Sequence, residues 1–158
     1  MNQRSILSLS AITALGLALS SSTALTQSAK DIVGTWTITS AEAFGPTPKG
    51  LLMFDANGRY SLMLMRPDLP KYESNNRTKG TSEEYKAIGA GNISYFGTYS
   101  VSGTDLIIRV EYSSFPNWKG VDQKRFLTIT EDEMKWINPT ASTGGPGFTG
   151  HTVWKRVK

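Results

Sequence analysis

Cysteine is absent from the 158 residues, so the fold must hold without a disulfide, and no thiolate is available as a nucleophile or metal ligand. Histidine occurs once, at His151. A lone imidazole has no His-x-Glu or second histidine at metal-site spacing, and as a general base it would need an orienting group that the sequence does not place. A surface strand residue is the simplest reading. No serine sits in a Gly-x-Ser-x-Gly elbow. The acidic clusters read as a helix first turn at Glu83-Glu84 and a solvated turn at Glu131-Asp132-Glu133. No metal or cofactor is expected. Basic residues nowhere run more than two together. The net charge of +4 is scattered, and the pairs Lys124-Arg125 and Lys155-Arg156 read as solvated strand faces or ends, so no nucleic-acid or membrane-surface patch is expected.

Long apolar runs are also scarce, and the single example, Ile6 to Leu19, stands at the start of the chain. A polar stretch from Met1 to Arg4 precedes it, and small residues follow at Ser22 and Ala24. That order reads as a secretory signal peptide over residues 1–29, cut after Ala24, Thr26 or Ala29. The run falls short of the about 20 residues of a comfortable span. A retained N-terminal anchor is the alternative. The expectation is an exported chain, periplasmic or secreted, without integral membrane association once the leader is removed. Loss of Arg4 lowers the net charge from +4 to +3. The remainder, 30–158, makes one domain, and about two thirds of its unfolded surface can be buried at that size.

What the chain does contain is alternation. In the run from Val33 to Ser40, Trp36 and Ile38 alternate with Thr35, Thr37 and Thr39, a strand with one buried face. Gly34 removes a side chain beside the indole, where a loop or another backbone can close over it. Leu51 to Phe54 and Arg59 to Met65 flank Asn57-Gly58, a strong hairpin signal. From Asn92, one face carries Ile93, Tyr95, Tyr99 and Val101, with Gly97 leaving a gap in the aromatic row for a bound molecule or a crossing side chain. Leu106, Ile108, Val110 and Tyr112 share the next such face. Arg125 to Thr130, Met134 to Asn138 and His151 to Val157 complete about eight strands, evenly spaced and mostly joined by hairpins. The fold class is therefore all-β, an antiparallel up-and-down barrel able to hold side chains or one small ligand. A two-sheet sandwich is the alternative.

One connection is long. Arg66 to Gly91 begins with Pro67 and Pro70, and Thr81-Ser82-Glu83-Glu84 reads as a capping box opening a short helix. A connection of this length in a small β domain reads as a lid carrying Tyr72, Tyr85, Arg66 and Arg77. Phe115-Pro116-Asn117-Trp118 is a second loop with two exposed-looking aromatics, and Pro139 to Gly147 is a flexible, linker-like third.

Gly34-Thr35-Trp36, the strand count and the basic residue beside Trp154 resemble the lipocalins and their calycin relatives. The resemblance implies that Gly34 and Trp36 close the barrel floor and that Arg156 packs across an indole. A closer resemblance is to the lipocalin-like domain family, found mainly as small bacterial and fungal proteins. It is carried by Phe44-Gly45-Pro46, Lys49 to Asp55, Gly58-Arg59-Tyr60-Ser61, Arg66-Pro67-Asp68-Leu69-Pro70, Ser74-Asn75-Asn76-Arg77, Tyr95-Phe96-Gly97-Thr98-Tyr99 and Phe115-Pro116-Asn117-Trp118. It implies the barrel fold across nearly the whole mature chain and assigns no catalytic residue.

An apolar cavity with a few hydroxyls, amides and a guanidinium at its mouth is how small-molecule sites are generally built. The ligand-binding candidates are Tyr60, Tyr95, Tyr99 and Tyr112 on the strands, Arg66, Asn75, Asn76 and Arg77 on the insertion, and Phe115 and Trp118 on the loop. The alternative for the tyrosines is a core role with satisfied hydroxyls, and for the Asn/Arg motif a fastening of its own loop. The expected partner is a small hydrophobic or amphipathic molecule, with an acidic or carbonyl group facing Arg66 or Arg77. The other readings are a metal-independent cyclase or isomerase and a non-catalytic envelope module.

Overall fold

The computed structural model describes residues 27–139, 141–143 and 147–158, and all but the last three residues of the expected leader lie outside them. Eight strands follow in chain order: β1 Gly34–Ala41, β2 Lys49–Phe54, β3 Arg59–Met65, β4 Asn92–Ser102, β5 Asp105–Ser113, β6 Asp122–Ile129, β7 Glu133–Asn138 and β8 Gly150–Arg156. Each pairs antiparallel with its neighbours and β8 pairs with β1, so the sheet closes into a barrel. A sandwich is ruled out by that closure. One helical turn, α1 (Ala29–Ile32), leads into β1, and α2 (Ser82–Gly91) lies in the insertion between β3 and β4.

Alternation turns one side of every strand inward. The resulting core includes Trp36, Leu52, Phe54, Tyr60, Leu62, Tyr95, Ile108, Leu127, Met134, Trp136 and Trp154. The β2–β3 connection is a four-residue turn, Asp55 to Gly58, in which Gly58 alone takes positive φ. Its hairpin is held by the Asp55 side chain, whose Oδ1 accepts from the backbone N–H of Asn57 at 2.9 Å and of Arg59 at 2.8 Å.

Two bulges break the alternation. In β1 the register shifts between Ile38 and Ser40 against β8, which turns Ala41 inward. In β5, Gly97 faces Val110 while Phe96 faces Tyr112, so Glu111 is the extra residue. A bulge reverses the facing of everything beyond it. Tyr112, expected inside with Val110, is therefore on the outer surface and 57% exposed. It stacks there on Phe96, ring centroids 6.0 Å apart, with the Lys119 ammonium 4.5 Å from its centroid. The gap at Gly97 is filled by this bulge: a Cβ there would collide with the Arg109 carbonyl oxygen. Backbone, rather than a crossing side chain, fills the position, which leaves no room there for a bound molecule.

One end of the barrel is sealed. Trp36 is fully buried, its Nε1–H donating to the Ile32 carbonyl at 2.8 Å. The Arg156 guanidinium lies over the indole and donates to the carbonyls of Asp31 (2.6 Å), Val33 (2.8 Å) and Glu131 (3.2 Å). Gly34 has φ +130, and a Cβ on it would stand 3.1 Å from Arg156 Nη1. Glycine here admits both the backbone conformation and the guanidinium.

Candidate functional site

The opposite end is the mouth, and its free space is an apolar cavity set into the barrel. Leu62, Leu64, Ile93, Tyr95, Trp136 and Trp154 form its walls and floor, while Ala41 to Phe44, Trp118, Ala141 to Thr143, Phe148 and His151 rim it. Its volume is about 70 Å³. The aromatic walls brace one another edge to face: Tyr95 to Trp118 at 5.3 Å, Trp118 to Phe115 at 5.6 Å and Trp136 to Trp154 at 5.8 Å between centroids. Trp154 Nε1–H donates to Thr152 Oγ1 at 2.8 Å, so that indole presents a satisfied, apolar face.

Local sequence places these groups. Pro116 begins a 3-10 turn, Pro116–Trp118, that folds Trp118 back over the mouth. Phe115 and Trp118, expected to be exposed, are half-buried against the core. A second 3-10 turn, Glu42–Phe44, follows the β1 bulge and packs Phe44 on the same core.

The remaining candidates lie elsewhere. Tyr99 is at the sealed end, where its hydroxyl donates to the Asp55 carbonyl at 2.7 Å and its ring meets Phe54 edge to face at 4.8 Å. Arg66, Asn75, Asn76 and Arg77 are exposed and none of them lines the cavity. Arg66 pairs with Asp68 at 2.7 Å, and Asn76 Oδ1 accepts from the Thr78 N–H at 3.0 Å and its hydroxyl at 2.8 Å. Asn75 takes φ 49. The insertion is thus tied to itself. Thr81 caps α2 through the Glu84 N–H, and Glu84 accepts from the amides of Thr81 (2.7 Å) and Glu73 (2.8 Å). No acidic or carbonyl group in the cavity would meet Arg66 or Arg77. Those two side chains sit in solvent, outside the cavity lining.

Below the cavity lies a residue that the sequence reading put in solvent. Arg125 is fully buried on the inner face of β6, between Gln123 and Leu127. Its Nη1 donates to the Lys124 carbonyl at 3.1 Å and its Nη2 to Gln123 Oε1, while Nε has no partner in the protein. The Tyr95 hydroxyl is its electrostatic neighbour and favours the charged guanidinium. Burial pushes the guanidinium's pKa down and those of the Tyr60 and Tyr95 hydroxyls up. Tyr60 Oη is buried without a partner. The period-two phase shared by Arg125 and Leu127 was the available signal; adjacency to Lys124 concealed it. Lys124 does face out, pairing with Asp105 at 2.6 Å.

With the cavity and its aromatic rim in view, the chain's relatives can be placed. Residues 33–157 match the model of the lipocalin-like domain. The chain belongs to that family. It is 32% identical over 94 residues to the 4'-hydroxy-3'-methoxypropiophenone carrier protein ppsC of Aspergillus oryzae, a match that covers 53% of this chain and 85% of that protein. It is also similar to the crystal structure of a lipocalin-like protein from Bacteroides uniformis, with a TM-score of 0.41 and 14% identity over 80% of this chain and 99% of that one. Among the described residues no helix is long and apolar enough to cross a membrane, and no group of three His, Cys, Asp or Glu could hold a metal ion.

Proposed function

We propose that this lipocalin-like protein carries a small, largely apolar molecule with an aromatic ring, taken into the mouth of the barrel and released unchanged. The observation that carries the reading is the cavity between Tyr95, Trp118, Trp136 and Trp154, facing away from the Trp36–Arg156 seal. The name of the Aspergillus relative as a carrier of a propiophenone supports it. An apolar cavity of about 150 Å³ takes one benzene, whereas this one measures about 70 Å³. Ligand binding therefore requires the lining to widen around the guest.

Native mass spectrometry of the protein purified from its own host should show a bound molecule of small mass. In parallel, the neutral dye 1-aminoanthracene should bind one to one and quench tryptophan emission. The absence of both a bound molecule and dye binding would overturn the reading.

We further infer export, with cleavage after Ala24 or Thr26 rather than Ala29. Ser28 Oγ bonds Asp31 Oδ2 at 2.9 Å, and that carboxylate accepts from the Ser28 N–H at 2.6 Å, so cutting after Ala29 removes the cap of α1. N-terminal sequencing of the mature protein tests this.

A further inference from the structure

Arg125 is a cation without an anion. None of the ion pairs among the described residues includes it, and its cross-strand neighbour on β5 is the fully buried Leu106. A guanidinium cannot shed its proton to escape this environment. An unpaired buried charge is among the costliest features a fold can hold, and apolar replacement of such groups is often stabilising. Two polar atoms of the barrel interior are left over, Arg125 Nε and Tyr60 Oη, both buried and without a partner in the protein. Tyr95 joins this cluster to the cavity, lining the cavity and meeting the Tyr60 ring edge to face with centroids 5.9 Å apart.

We propose that the ligand carried in the barrel bears a carboxylate, and that Arg125, together with the hydroxyls of Tyr95 and Tyr60, is its anchor. This inference rests on the carrier reading and names the ligand class for the same cavity. A carboxylate is acceptor-only and takes the remaining donors of all three side chains: the guanidinium fork through Nε, and the two phenolic hydroxyls. Because Arg125 is not on the cavity wall, the ligand reaches it by turning the Tyr95 ring aside. The ligand's apolar body then fills the space among Trp118, Trp136 and Trp154. Positive charge at the bottom of an apolar well selects an amphipathic acid over both a neutral aromatic and a fully hydrophilic anion.

The test compares 3-phenylpropanoate with 3-phenylpropanamide, which has the same shape without the charge, by tryptophan quenching and calorimetry on the mature chain at neutral pH. The acid should bind at least about tenfold more tightly than the amide, and should raise the thermal midpoint more. In Arg125→Met the preference should vanish while amide affinity is retained, and the ligand-free variant should melt higher than the parent. Tyr60→Phe keeps the cation, removes one donor and should shrink the preference, which keeps the proposal testable if Arg125→Met does not fold. Equal binding of acid and amide to the parent overturns this proposal and leaves the carrier reading standing. Binding of neither, together with no dye binding, overturns both. A preference that survives unchanged in Arg125→Met assigns the selectivity elsewhere and overturns the anchor.

Discussion

The guanidinium carbon of Arg156 stands 4.1 Å from the centroid of the Trp36 ring, joining the last strand to the first across the sealed end. The same group satisfies three carbonyls that no strand partner reaches. Arg156→Met should therefore cost about 2–4 kcal/mol, from the lost cation–π contact and the carbonyls left unpaired. Arg156→Lys should recover little, because one ammonium cannot replace a planar fork over an indole. Urea unfolding of the three proteins measures both numbers.

Two glycine substitutions should have opposite signs. Gly97→Ala drives a methyl group into the Arg109 carbonyl at the β5 bulge, and a loss of more than about 3 kcal/mol is expected. Gly89 lies inside α2, where an added Cβ meets nothing within 4 Å. Gly89→Ala should stabilise by about 0.5–1 kcal/mol. Thermal unfolding distinguishes the two.

Trp118 and Tyr99 separate binding from stability. Trp118→Ala removes one wall of the cavity and should weaken 1-aminoanthracene binding by at least about fivefold, close to 1 kcal/mol. Tyr99→Phe deletes one hydrogen bond at the far end, to the Asp55 carbonyl. It should cost about 1 kcal/mol of stability and leave dye affinity unchanged. A fluorescence titration beside a urea curve reads both.

Acid should loosen the insertion before the barrel. The amide of Glu73 first, then that of Thr81, holds the Glu84 carboxyl below the ordinary glutamate range. A depressed carboxyl contributes in full above its unfolded value and loses that contribution as pH falls through the folded one. The protection factors of the Glu73 and Thr81 amides, taken against the intrinsic exchange rate at each pH, should be constant near neutrality and fall below the ordinary glutamate value of 4.5. Glu84→Gln should flatten that dependence.

Strands and topology were legible in this chain because inside–outside alternation leaves a direct trace in the order of residues. Trp36, Leu62, Tyr95 and Leu127 face inward as their phase requires. The bulge at Glu111 was not legible, since its cause is a contact between Gly97 and a backbone on another strand, and Tyr112 was misplaced with it. The insertion misled for a different reason. Asn75, Asn76 and Arg77 are residues that bind ligands and residues that build turns, and only position relative to the mouth distinguishes the two roles. Trp118, singled out by its aromatic character, lines the cavity; the burial of Arg125 was not legible because a basic residue on a strand is ordinarily solvated, and nothing in its neighbours announced that the inner phase continued through it.

The pairing of β1 with β8 also sets a time order. The two strands lie at opposite ends of the domain, so their contact closes the longest loop in the fold, the kind of step that slows folding. Until β8 leaves the ribosome, β1 and β7 are both open edges able to recruit other chains. Trp36 has no cation above it over that interval. The barrel can therefore form only after synthesis of the domain is complete, and a chain stalled before Gly150 is a species for chaperones to hold rather than a partly finished protein.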